Sequence, residues 1–399
     1  MSMAGTVAGQ AHGKAPARLA APHGGVVAAT AVLACVGLIM VWSTTSPLAL
    51  DAPVPPHFLR HLAGLVAGVV LAGVCMLLPL SAWRRLALPL WALCIGLLVL
   101  TLVAGTTVNG AQRWLSIPGV GPVLQPVELA KWATLLATAV ALAREPSGRR
   151  RKRFRLPASG LVLLLVSLPA ALVFLQPDTK GALLLLILVG LQLFVSGTPI
   201  RAFAIPIGLA TAVLGLAITM RPYVMSRVLA FLDPWANAQA SGFQLVQSFV
   251  AFGRGGFAGV GLGNGRQKLF YLPEAHTDFV LSVVAEELGL LGVTLVLGAF
   301  AALLVAGVRI AARTQGRFAF LVAFSMTAVI AVPAAVNAAV VMGMVPPTGL
   351  TLPFVSYGRS SLLLSFAAIG VLLGISRREG APREPATDSS ILARRSRPR

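Results

Sequence analysis

Apolar residues along the 399-residue chain fall into ten runs, at 24–44, 62–80, 84–104, 125–143, 157–175, 181–197, 201–220, 278–308, 318–343 and 360–376. A helix that crosses a bilayer needs about 20 mainly apolar residues. The pattern therefore predicts an all-α, polytopic membrane protein of about ten transmembrane helices with both ends on one side. The 181–197 run is short enough to be tilted or irregular. The 278–308 run is longer than one crossing and carries Glu286 and Glu287, so its first part is expected outside the bilayer core. The longest non-apolar stretch, about 221–277, is a large outer (periplasmic) loop before helix eight. Residues 1–23 are read as a cytoplasmic tail ahead of an uncleaved first helix, 24–376 as the transmembrane domain, and 377–399 as a basic cytoplasmic tail.

Composition agrees with the pattern. Hydrophobic residues make up 57% of the chain and charged residues only 11%, with a mean hydropathy of +0.86. A soluble domain carries roughly 25% charged residues, which excludes most soluble classes. The 32 Lys and Arg against 12 Asp and Glu give a net charge of +20. In a soluble protein that balance would suggest nucleic acid; in a membrane protein it reports sidedness. With the N-terminus in the cytoplasm, Arg84, Arg85, the REPSGRRRKRFRL loop at 144–156, Arg201, the 309–317 loop and both tails fall inside and hold most of the basic residues. The RRRKR cluster is accordingly a topogenic loop that can touch anionic lipid, and no nucleic-acid partner is implied. Acidic residues show the reverse distribution. Asp51, Glu128, Asp178, Asp233, Glu274, Asp278, Glu286 and Glu287 lie outside or at membrane depth, where carboxylates are costly and mark functional-site candidates. Cys35, Cys75 and Cys94 sit inside apolar runs and read as packing residues.

The outer loop contains GRGGFAGVGLGNG at 253–265. This run allows close backbone approach and positive φ, but no strand precedes it, so a phosphate-cradling nucleotide loop is rejected. A re-entrant or surface-hugging loop bordering a cavity is expected. The longer run GLGNGRQKLFYLPEAHTDFVLSVVAEELGLLG resembles the signature of the SEDS family (shape, elongation, division and sporulation proteins). Further similar segments follow in the family's order: NGAQRWLSIPGVGPVLQPVELAK, QPD at 176–178, FLDPWANAQASGFQLVQS at 231–248 and PPTGLTLPFVSYGRSS at 346–361. The resemblance covers about residues 30–378. EAHTDF and GLTLPF look more like the cell-division, FtsW-like branch than the elongation, RodA-like branch.

The resemblance implies a peptidoglycan glycosyltransferase that polymerises lipid II on the outer face of the bacterial cytoplasmic membrane, at the division septum. The 4-hydroxyl of an acceptor sugar attacks C1 of a lipid-linked donor, extending a glycan strand and expelling undecaprenyl pyrophosphate. It also implies a class B penicillin-binding protein (a transpeptidase) and other divisome proteins as partners. Such a site needs a base, positive charge for the pyrophosphate and an apolar path for the polyprenyl tail. Asp278 stands where the polar loop meets an apolar helix, so it can face water while partly desolvated; the resemblance marks it as the essential residue. A helix N-cap supplied by Thr277 or Asp278 would explain the same position structurally. Glu274 and His276 flank it and can tune it, bind sugar or metal, or be ordinary loop polars.

Arg113 and Lys131 match family positions and suit a pyrophosphate, although Lys131 can instead form an i,i+3 pair with Glu128. Lys268 is a third cation candidate. Asp178 can cap the next helix or serve substrate, and Ser356 can bind sugar or satisfy freed backbone. Spacing of i,i+4 from Asp278 through Ser282 to Glu286 suggests that Glu286 points into the same cavity. A divalent cation, Mg or Mn, bridging carboxylate and pyrophosphate is compatible chemistry, but no ligand set with specific spacing is present. The chain departs from the family pattern at three places: Arg359 in SYGRSS, Pro333 four residues before Asn337, and Thr179-Lys180-Gly181 after QPD. A lipid II flippase and a non-catalytic division scaffold are the competing readings; no inverted repeat supports the first.

Overall fold

The computed structural model describes residues 22–49, 51, 53–108, 111–117, 121–143 and 156–379. The RRRKR loop and most of both expected tails lie outside the described residues. A helix stands at each of the ten apolar runs: α1 (Pro22–Thr45), α2 (Pro56–Leu77), α3 (Leu80–Ala104), α4 (Pro126–Ala143), α5 (Leu156–Leu175), α6 (Thr179–Val195), α7 (Ala204–Met220), and, after two helices of the outer loop, α10 (Val280–Arg313), α11 (Arg317–Val341) and α12 (Arg359–Glu379). The two loop helices are α8 (Pro222–Leu232) and α9 (Phe243–Gly255). By length and composition, seven of the described helices can each cross a membrane. The pair α7–α8, bent by 99°, makes an eighth crossing if taken together, while α5 and α6 are apolar but shorter. The protein is thus helical and polytopic, as the hydropathy pattern predicts.

The all-α class holds, with one local addition. Between α3 and α4 the chain forms a small antiparallel sheet in the order β1 (Thr106–Val108), β2 (Ala111–Ile117), β3 (Gly121–Leu124). Its residues (TTV, AQRWLSI) are rich in the β-branched and aromatic types that favour strands. They lay unrecognised inside a motif read only for its charges.

α4 is the most enclosed helix, with 83% of its span buried, whereas α2 and α3 have 17% and 22% buried and face outward. Polar rungs tie the centre together. Gln192 on α6 donates to the Leu135 carbonyl on α4 at 2.8 Å and to the Ser325 hydroxyl on α11 at 3.0 Å, and it accepts from Thr138. Inside an apolar protein such bonds tie helices together where hydrophobicity alone cannot choose a partner.

The feature that positions the outer end is a break in α10. Gly289 sits at φ 65°, ψ −160°, so the helix is interrupted there. A break frees backbone groups on both sides, and these must find partners. The glycine-rich loop supplies them. The Glu286 and Glu287 carbonyls accept from Val260 and Gly261 at 2.9 and 3.1 Å, and the Leu290 and Leu291 amides donate to Gly256 and Phe257 at 3.0 and 3.3 Å. A Cβ on Gly289 would lie 2.3 Å from the Gly259 nitrogen, so no side chain fits between the two segments.

The paired carboxylates lock the same junction. Glu286, fully buried, accepts from Arg254 at 2.9 Å and from the amides of Arg266 and Gln267 at 3.0 Å each. Glu287, also fully buried, accepts from Lys268 at 2.6 Å and from Ser43 on α1 at 2.8 Å, and the Gly263 amide donates to it at 3.1 Å. Two expectations are corrected here. Glu286 turns away from Asp278 because its face of α10 receives the loop. The glycine-rich run braces α10, and none of it lines the cavity described below.

Breaking a buried ion pair from one side leaves a charge without a partner and costs about 3–5 kcal/mol. Lys268→Met is therefore expected to lower the thermal unfolding midpoint of the purified protein markedly. Pairing it with Glu287→Gln should recover part of the loss, as measured by the same melting curves in detergent.

Candidate active site

At the end of the helix bundle that carries the β1–β3 sheet and α8 lies a cavity of about 1020 Å³, as large as the larger small-molecule sites. Six cationic side chains line it: Arg60 from α2, Arg113 from β2, Lys180 from α6, Arg221 and Arg227 from the α7–α8 bend, and Arg359 from α12. Against them stand three carboxylates, Glu128, Glu274 and Asp278. Such a surface suits a multiply charged anion with one acid–base group beside it.

Asp278 is held from behind. The Asn337 side-chain amide donates to the Asp278 carbonyl at 2.7 Å and to the Leu350 carbonyl at 2.6 Å. Ser356 donates to the Thr277 carbonyl, and the Tyr357 amide donates to the His276 carbonyl at 2.8 Å. Three successive carbonyls are thus fixed by α11 and by the α11–α12 connection, which leaves the Asp278 carboxylate to face the cavity.

Part of the Asp278 side chain opens on the cavity, but protein surrounds it on the other sides. Burial pushes its carboxyl above the ordinary range; Lys180 pulls it back, Glu274 pushes it up further, and Arg227 and His276 pull it down. His276 is displaced the other way: burial lowers it, against the raising influence of Glu274 and Asp278. Its ring packs at 5.8 Å from both His57 and Tyr357.

Several expected site residues meet in this cavity and others do not. Arg113, Glu274, Thr277 and Asp278 line it. Thr277 donates to the Glu274 carboxylate at 2.7 Å. Neither Thr277 nor Asp278 caps α10, whose N-cap position is Phe279 without a side-chain bond. Lys131 lies behind the wall, paired to Glu128 at 2.8 Å, so the i,i+3 alternative is the arrangement formed. Lys268 is removed from the cavity altogether, because Glu287 and Ser43 hold it under the α10 break. Asp178 is buried as the N-cap of α6, accepting from Gly181 at 3.0 Å. Ser356 acts on backbone, accepting from the Leu352 amide at 2.8 Å.

His57 and Arg60 line the cavity without having been foreseen. They occupy the first turns of α2, which begins at Pro56 and not at 62 as hydropathy placed it. Polar residues at helix spacing immediately ahead of an apolar run were the available signal. Among the described residues no group of three or more His, Cys, Asp or Glu is placed to hold a metal ion.

Fold and cavity together define a multi-pass membrane protein whose helices enclose a cavity lined by opposed cations and carboxylates. The family described as cell cycle protein, comprising FtsW, RodA and SpoVE, matches residues 25–380, and the chain belongs to it. A probable peptidoglycan glycosyltransferase FtsW from Geobacter sulfurreducens is 38% identical over 358 residues, which is 88% of this chain and 94% of that protein. One from Trichlorobacter lovleyi is 41% identical over 347 residues, 85% and 89% of the two chains. Among solved structures, a chain of a peptidoglycan synthase complex that coordinates polymerization and crosslinking is 32% identical, with a TM-score of 0.71 over 90% of this chain and 98% of that one. The rod-shape-determining protein RodA of Thermus thermophilus is 30% identical, with a TM-score of 0.65 over 92% and 100%. The protein is a peptidoglycan glycosyltransferase of the bacterial inner membrane.

Asn337 is the residue whose loss should uncouple site from scaffold. Asn337→Ala is expected to reduce polymerisation roughly ten- to a hundredfold, because an ångström-scale shift of a reacting group costs rates of that order. Glycan product assays alongside melting curves would check that the protein stays folded.

Proposed function

We propose that the cavity polymerises lipid II into septal glycan strands, with Asp278 as the general base. The 4-hydroxyl of the acceptor sugar gives its proton to the Asp278 carboxylate. Its oxygen forms the new bond to C1 of the donor, and the bond from C1 to the phosphate oxygen breaks. The electron pair leaves with undecaprenyl pyrophosphate, whose charge Arg113, Arg221 and Arg227 neutralise. The observation that carries this reading is a partly desolvated carboxylate on the wall of a cavity that six cationic side chains also line. A carboxyl with raised proton affinity is a stronger base than an exposed one and accepts a hydroxyl proton more readily.

Support for the three arginines is geometric. Arg221 donates to the Thr179 hydroxyl and the Phe174 carbonyl at 2.6 Å each and lies 4.3 Å over the Phe174 ring. Arg113 donates to the Pro177 carbonyl, and Arg227 to the Pro347 carbonyl at 3.1 Å. Each guanidinium is oriented before any substrate arrives, which reduces the ordering cost on binding. Residues 24–376 act as one transmembrane unit with both tails in the cytoplasm. A class B penicillin-binding protein and other divisome proteins are its partners at the septum, in keeping with the similarity to a chain of a synthase complex.

The test is lipid II polymerisation by the full-length protein in proteoliposomes. Asp278→Asn should cut the rate by about 10²–10⁴-fold, the range contributed by a general base; an unchanged rate would sink the assignment. Arg113→Ala should lower kcat/KM by roughly ten- to a hundredfold, as expected when one hydrogen bond to a charged group, about 1.5–3 kcal/mol, is lost. Persistence of lipid II translocation in Asp278→Asn without any effect on glycan synthesis would favour a flippase instead.

A further inference from the structure

Lys180 is the second residue of α6, close to the positive end of that helix dipole, where a cation is disfavoured. Its ammonium nevertheless stays at the cavity wall and donates to the Gly349 carbonyl in the connection between α11 and α12. Gly349 has φ +74° and presents bare backbone to the site. The position of a Cβ on it would be 2.8 Å from Asp278 Oδ2, 3.1 Å from Lys180 Nζ and 3.8 Å from Arg227 Nη1. Three charged groups from three elements thus converge on one glycine. Among the described residues Lys180 and Asp278 form no direct ion pair. The ammonium is near enough to bias the carboxylate's charge, while its hydrogen bond to backbone leaves the carboxylate oxygens open to a hydroxyl.

We propose that Lys180 is a positioning residue that keeps Asp278 ionised in the working pH range, acting across Gly349 and not as a ligand of the substrate. The proposal rests on Asp278 being the base. Besides Lys180, the groups bearing on Asp278 are Arg227 from α8 and Glu274 and His276 from its own segment. Glu274 opposes Lys180, Arg227 supports it and stands farther from Gly349, and His276 supports it only when charged. Lys180 is therefore the principal counter-charge against burial.

The sign follows directly. The base works in its ionised form, so the rate falls as pH drops through the Asp278 pKa. Removing a nearby cation raises that pKa and moves the acid limb of the profile to higher pH.

The experiment measures kcat/KM for lipid II between pH 5 and 9, about the range over which a raised carboxyl and a histidine titrate. It uses full-length wild type, Lys180→Met, Lys180→Gln and Lys180→Arg in proteoliposomes, with melting curves for each. Lys180→Met and Lys180→Gln should shift the acid limb upward by about one pH unit or more, the effect of one opposite charge nearby. Lys180→Arg should restore the limb. An unmoved limb with a raised KM would make Lys180 a substrate ligand and overturn the proposal, as would an equal loss at every pH. Asp278→Asn separates the two failures. If it polymerises like wild type, the base assignment falls first; if it is inactive while the Lys180 limb stays put, only the role of Lys180 falls.

Discussion

The outer half of this protein is organised by the rule that backbone freed inside a membrane protein must find a partner there. α10 is broken at Gly289, and the break would strand two carbonyls and two amides. The glycine-rich loop takes up all four, and the buried carboxylates of Glu286 and Glu287 draw the rest of that loop, Arg254 and Lys268 onto the same junction. Only a segment with little side-chain bulk can lie this close to a helix. The first turns of α10 are thereby fixed to α1 and α9, and segment 274–278 stands on them. Charges at membrane depth here serve architecture a few residues away from the carboxylate that faces the cavity.

The site itself divides its work between backbone and side chain. Carbonyls of residues 276 to 278 are consumed in anchoring, through Asn337, Ser356 and the Tyr357 amide. Side chains of the same segment are left for the cavity. This separation explains how a carboxylate can be rigidly placed and still have oxygens to spare for a substrate. The cations opposite are tied to backbone in the same way, through the carbonyls of Phe174, Pro177, Pro347 and Gly349.

Hydropathy located all ten apolar helices because the bilayer imposes one strong requirement on every crossing. It placed the start of α2 too late, since His57, Arg60 and His61 dilute the average at its first turns although they belong to the helix. The strands between α3 and α4 were hidden because three short segments carry a weak periodic signal beside long apolar runs. Among site residues, Asp278 was legible from its place at a polar–apolar boundary and from its motif. Lys268 was misread, since sequence distance to EAHTDF says nothing of direction, and its amine points down to Glu287. The clamp on Asp278 from Asn337 could not be read at all, because 59 residues separate the partners. Long-range polar bonds of this kind leave no local pattern.

One wall of the cavity comes from α8, which turns through 99° from α7. Met225, Leu229 and Leu232 are exposed on α8, while Tyr223 and Arg227 of the same helix line the cavity. The cavity and the exposed apolar residues of α8 are therefore separated by the thickness of a single helix. A lipid-borne substrate that reaches this wall arrives by two-dimensional diffusion. The concentration the enzyme experiences is then a mole fraction among lipids, set by the composition of the leaflet, and the volume of the surrounding solution does not enter.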